Sequence, residues 1–310
     1  MENSLIIFTK LVVMFAFALA GYIAFKKHWV TDKGSSEVSK LIVNIFNPAL
    51  IIATVVGADE RPSAELVMQN VILVCILFGT MIALSPIIAR VLRVPKDERT
   101  LYMIMLVFTN LGFMGIPLIG SLYGQSATFY VSLYILMYNL LFYSFGLYLF
   151  KRQMNTAGKF SIKQMCNPGM FACLVALFFF LVPIQLPFVA IDFISYLADA
   201  CVPLSMIVTG FALAHINLKE IFTEARLYGY VFIKQLFLPI VAALIIMHLP
   251  GVNLNPVVAG ILPLMYGMPN GSMPVIVSEE YGMDNTACSK LYALTTLVTI
   301  VTLPIVTLFV

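Results

Sequence analysis

Of 310 residues, 61% are hydrophobic and 11% charged, and the formal net charge is +3. Soluble domains carry roughly 45–50% apolar and about 25% charged residues, and a core of this size cannot hide that excess while keeping a polar surface. An ordinary soluble fold is excluded, a bilayer is the fitting solvent, and no nucleic-acid partner is expected.

A helix crossing ~30 Å of hydrocarbon needs about 20 residues. Ten such segments follow one another, near 5–25, 37–56, 66–90, 100–123, 126–150, 167–185, 192–213, 227–249, 255–278 and 287–309. The first contains Ala18-Leu19-Ala20, which looks like a signal-peptidase site. Yet Met1 to Ser4 carry no positive charge and Lys10 interrupts the run, so it reads as a retained span. The second span holds Asn47-Pro48. Thr100 to Phe150 contains no charged residue, is too long for one span, and divides at Tyr123-Gly124-Gln125-Ser126. Tyr138-Asn139 lies midway along the fifth span. Residues 151–166 are basic and polar and read as a short linker. Asp199 falls in the seventh span and Lys234 in the eighth. Gln235 to Ser278 is again uncharged and divides at Pro250-Gly251-Val252-Asn253.

Positive residues favour cytoplasmic loops. With both termini outside, 15 of the 18 Lys and Arg fall in cytoplasmic loops; Arg61 is outside, and Lys10 and Lys234 are within spans. A multi-pass protein of the cell membrane is expected, surrounded by lipid.

The halves resemble each other. Pro203 follows Pro48 by 155 positions, Pro274 follows Pro117 by 157, and Tyr281-Gly282 follows Tyr123-Gly124 by 158. The expected fold class is therefore an all-α membrane protein of ten transmembrane helices. Residues 1–150 form one five-helix repeat, 151–166 a cytoplasmic linker, and 167–310 a second repeat. Five is odd, so the second copy is inverted, as in many secondary transporters.

The fourth span contains Asn110, Gly112, Gly115 and Pro117; the ninth contains Pro269, Asn270, Gly271, Ser272 and Pro274. Proline removes a backbone donor and clashes with the preceding turn, and glycine adds backbone freedom. Both helices are expected to unwind at mid-membrane, at Gly112 to Pro117 and at Pro269 to Pro274. Such breaks must be buried in protein or line a wet cavity. Crossed breaks would bring half-helix N-termini to one point, where an anion binds, with Asn110 and Asn270 adding polar groups. The alternative is a pair of plain proline kinks, since proline and glycine are common in membrane helices.

The ten-span plan, Asn47-Pro48, Asn110 to Pro117 and Pro269-Asn270-Gly271 resemble the auxin efflux carrier family, over essentially the whole chain. The short linker is similar to that of the family's prokaryotic permeases, associated with malate, malonate and related anions. The resemblance implies a scaffold domain, a moving transport domain with crossed fourth and ninth helices, elevator-type motion and a homodimer. The distantly similar bile-acid symporters use sodium, but their sodium-ligand acids and glutamines are not evident at this crossover.

Intramembrane charges are functional candidates. Asp199 and Lys234 are candidates for ion or proton coupling, or for pairing with each other; snorkelling is the rival reading for Lys234, and a polar packing contact for Asp199. Asn47, Tyr138 and Asn139 are candidate cavity-lining residues, with helix–helix hydrogen bonding as the rival. Glu279 and Glu280 read as solvated. The five cysteines and three histidines are scattered, and no metal site, cofactor or catalytic cluster is expected. The leading expectation is a secondary transporter of small organic anions, not an enzyme. The alternatives are an ion or anion channel and a sodium-coupled symporter of a larger organic acid.

Overall fold

Apolar runs bounded by capping residues and prolines form the helices. The computed structural model describes residues 2–56, 63–154, 167–182, 184, 186–216, 221, 224–248, 254–280, 283 and 286–310. The chain order is α1 (Asn3–Lys26), α2 (Asp32–Val56), α3 (Ala64–Val91), α4 (Arg99–Val107), α5 (Leu111–Tyr123), α6 (Gln125–Gln153), α7 (Pro168–Leu181), α8 (Phe188–His215), α9 (Ala225–His248), α10 (Pro256–Gly267), α11 (Met273–Glu280) and α12 (Thr286–Phe309). Seven of these (α1, α2, α3, α6, α8, α9 and α12) are long and apolar enough to cross a membrane. Among the described residues there is no strand, only an isolated antiparallel bridge between Thr109 and Asn270. Residues 155–166 of the expected linker lie outside the described residues, as do Arg61, Lys159, Lys163, Lys219, the Pro250–Asn253 division and Tyr281-Gly282.

Side-chain oxygens accept from the free N–H groups at helix starts. Ser63 Oγ accepts from the Leu66 N–H at 3.3 Å, Asn167 Oδ1 from Met170 at 2.9 Å, and Asn255 Oδ1 from Val257 at 2.9 Å. Pro168 and Pro256 occupy first-turn positions, where a missing N–H costs nothing. The expected segment 167–185 stops as a helix at Leu181. Val182 is extended (φ −110°, ψ 113°) because Pro183 follows it.

Two sets of helices pack together, joined where α1 lies on α5 and α12. In one, α8 lies along α1 and against α2, and α2 also packs on α7. The α1–α8 crossing is close enough that a Cβ on Gly21 would collide with the Ile207 carbonyl, and one on Gly210 with the Ala18 carbonyl. In the other group α4 packs on α3, α9 on α10, and α12 on α4, α9 and α10. Thr307 Oγ1 donates to Ser4 Oγ at 2.9 Å, joining the start of the first helix to the end of the last. At the far end of α12, Lys290 meets Glu224 at 3.5 Å and Arg226 meets Glu98 at 3.8 Å.

Candidate functional site

Helix α4 ends at Val107 and α5 begins at Leu111; α10 ends at Gly267 and α11 begins at Met273. The two non-helical stretches meet. The Asn110 N–H donates to the Pro269 carbonyl at 2.8 Å, and the Gly271 N–H to the Phe108 carbonyl at 3.0 Å. Each stretch thus supplies partners for backbone groups that its own helix has abandoned, as a dry interior requires. Gly271 suits the approach: a Cβ there would stand 3.2 Å from the Phe108 carbonyl oxygen and 3.3 Å from that of Thr109.

The first non-helical stretch lies at Phe108 to Asn110, upstream of the glycines and proline expected to cause it. Leu111–Gly115 instead forms a wide helical turn that leads into Ile116–Tyr123, with Pro117 in its first turn. A proline there is compatible with helix, since the widened turn and the first-turn position remove the bond it would otherwise break. Pro274 sits in the same way in the first turn of α11. Pro117 and Pro274 therefore start helices rather than unwind them, whereas Pro269 lies in the non-helical stretch itself.

Beside this crossing lies a recess of about 70 Å³. A buried water needs roughly 10–15 Å³ on that scale, so the recess holds about five water-sized groups. Asn110, Leu111, Gly112 and Phe113 line it from the start of α5, Asn167 and Gly169 from the start of α7, and Ser272 and Met273 from the start of α11. Asn47 enters from α2, and Tyr138, Asn139 and Tyr143 from α6. Among the described residues the lining contains no Asp, Glu, Lys or Arg. Three helix N-termini therefore border one space, mostly apolar in its lining, into which a few amide and hydroxyl groups are set. Asn139 Nδ2 reaches Cys173 Sγ at 3.7 Å, and the Tyr138 ring stands edge-on to Phe108 with centroids 5.3 Å apart.

Of the residues singled out from sequence, Asn47, Asn110, Gly112, Tyr138, Asn139, Gly271 and Ser272 line the recess. Gly115 packs instead near Met265 and Val131, and the Pro117 carbonyl accepts from Ser121 Oγ at 2.6 Å. Pro269 acts through its carbonyl. Asn270 turns away and is fully buried: its Oδ1 accepts from Tyr230 Oη at 3.1 Å, and its N–H donates to Thr295 Oγ1 at 3.1 Å. Lys234 does not snorkel; it is fully buried and donates to the Met268 carbonyl. Asp199 is exposed on α8 and does not pair with Lys234. Thr109, Tyr143, Asn167 and Gly169 were not anticipated. Asn167-Pro168-Gly169 carries a signal, since it repeats the Asn-Pro of Asn47-Pro48.

A family model described as membrane transport protein matches residues 6–157 and 152–307, nearly the whole chain. The chain belongs to this family, that of the auxin efflux carriers. An uncharacterized transporter of Methanothermobacter thermautotrophicus is 24% identical over 290 residues, covering 93% of either chain. With its seven long apolar helices, this membrane transport protein is a multi-pass membrane protein.

Proposed function

We propose that this membrane transport protein is a secondary transporter of small organic anions, and that the recess beside the crossing is the substrate site. The observation that carries this reading is the convergence of the α5, α7 and α11 N-termini on a recess whose described lining is mostly apolar, with amide side chains and no acidic one. Helix N-termini present free N–H groups and partial positive charge, which attract carboxylates. Asn47, Asn110 and Asn139 add amide donors around them. A volume of about five water-sized groups favours a small carboxylate such as malonate or malate over a larger organic acid.

The architecture in this reading is ten spans in two inverted five-helix repeats, with α4–α5 and α10–α11 as crossed, interrupted fourth and ninth spans. The Ser4–Thr307 bond, between the start of α1 and the end of α12, supports an even number of crossings. The basic and acidic residues gathered at the opposite end of α12 favour that end as cytoplasmic, placing both termini outside in the cell membrane. The α1, α2, α7 and α8 group acts as the scaffold, supplying Asn47, Asn167 and Gly169 as one wall of the recess, against which the remaining helices carry the other wall in an elevator-type motion, within a homodimer. Uptake of labelled malate into proteoliposomes tests the site. Saturable uptake in the wild type that is lost in Asn110→Ala supports it, and equal uptake in the two sinks it. Flux that never saturates would instead indicate a channel.

A further inference from the structure

Among the described residues, Lys234 is the one charged side chain that is fully buried. It lies in a wide turn of α9, Phe232–Phe237, and its ammonium donates to the Met268 carbonyl, just past the end of α10. No carboxylate lies within ion-pair distance of it among the described residues. The titratable groups on the helices packed around it are engaged elsewhere. From α9 itself, Tyr230 bonds Asn270, Arg226 meets Glu98 and Glu224, Tyr228 is at an exposed position, and His248 bonds the Leu244 carbonyl. From α10, Tyr266 bonds Thr80; from α12, Tyr292 bonds Thr209, Lys290 meets Glu224, and Cys288 is buried.

An ammonium at mid-membrane costs at least about 2.5–3.5 kcal/mol on insertion scales. One carbonyl at the negative end of a helix offsets only part of that. The carbonyl belongs to the strap Met268 to Ser272, whose far end, Gly271 and Ser272, lines the recess. The carbonyl that Lys234 holds is three residues from Gly271, a separation of at most roughly 10 Å along extended chain, so an anion in the recess and the ammonium attract each other. In a low-dielectric interior such attraction is strong. Occupancy of the recess therefore favours the charged amine, and an empty recess favours the neutral one.

We propose that Lys234 is the proton-coupling group: it keeps its third proton while an anion fills the recess and releases it when the recess is empty, so that anion and proton cross together. On release, one Nζ–H bond breaks and the proton passes to water. The remaining amine still has N–H groups to donate to the Met268 carbonyl, and the empty site returns without a buried charge. This rests on the anion reading of the recess. Asp199, exposed on α8 and apart from the strap, has no part in it.

The test is calorimetric titration of malate into the purified protein between about pH 6.5 and 9, where malate stays ionised, in two buffers of different ionisation enthalpy. In the wild type, binding takes up close to one proton per anion at the alkaline end, and affinity falls there by up to about tenfold per pH unit. In Lys234→Gln, binding persists with no proton uptake and no such slope. Lys234→Arg keeps a charged donor that does not release its proton, and is likewise expected to bind without proton uptake. Proton uptake in either variant equal to the wild type's overturns the proposal, as does wild-type binding without uptake. Absence of any malate binding in the wild type overturns the anion reading and this proposal with it.

Discussion

Two close backbone approaches hold this protein together, and they are made of different material. Where α1 crosses α8, Gly21 and Gly210 let helix backbones touch, and the helices stay intact. Where α4–α5 meets α10–α11, the backbones touch because both helices have stopped, and two N–H···O bonds tie the loose ends. Among the described residues, the buried side-chain polar atoms without a hydrogen-bond partner are on Asn70, Thr109, Tyr134, Gln235, Asn270 and Thr296. None of these residues is on α1, α2, α7 or α8. Tight apolar packing admits one arrangement, whereas interrupted helices with spare polar groups can bind and rearrange. In the proposed mechanism the intact crossing belongs to the scaffold, and the interrupted helices supply the part of the recess that moves past Asn47 and Asn167.

The comparison breaks most sharply at Gly210. A Cβ there meets the Ala18 carbonyl and the Tyr22 N–H, atoms that cannot swing aside. Gly210→Ala is expected to destabilise the fold by roughly 3 kcal/mol or more, read as a large drop in thermal unfolding temperature in detergent. Asn110→Ala has the opposite profile. Losing a hydrogen bond to a charged ligand costs about 1.5–3 kcal/mol, so malate affinity should fall roughly 10- to 100-fold while the unfolding temperature hardly moves. Gly271→Ala lies between the two. Its Cβ would sit 3.2–3.3 Å from two carbonyls and the Tyr138 hydroxyl, so a loss of about 1 kcal/mol in stability should accompany weaker binding.

The smallest effect is expected at the charged rim around Glu98, Glu224 and Arg226, away from both approaches. Partial burial raises the Glu98 carboxyl above its ordinary range, opposed by Arg226. A raised folded-state value favours the protonated acid, so Glu98 stabilises the fold at low pH and this contribution fades as pH rises through that range. Glu98→Gln should therefore unfold slightly higher than the wild type at neutral pH, with the gap closing on acidification. An unchanged gap at acidic pH would place the effect outside Glu98 ionisation.

Much of the helical order was legible because hydropathy and caps act locally. Ser63, Asn167 and Asn255 mark their helix starts in sequence as they do in space. The helix stops at Leu181, short of the end of its apolar run, because Pro183 acts backwards on Val182. The recess was half legible. Asn110, Gly271 and Ser272 lie where the pattern of glycine and proline points, whereas the interruption at Phe108 to Asn110 has no breaker residue of its own. It exists because the partner strap offers the Pro269 carbonyl and the Gly271 N–H, and tertiary bonds of that kind leave no local trace. The side of the strap to which Asn270 turns is set by Tyr230, 40 residues away in sequence. The complete burial of Lys234 depends in the same way on helices that follow it.

Equilibrium binding of labelled malate to wild type and Asn110→Ala, each shown by thermal unfolding to be equally folded, tests the central claim most directly. The predicted result is saturable binding to the wild type that weakens at least about tenfold in the variant. Equal binding by the two proteins would contradict the assignment of the recess as the anion site.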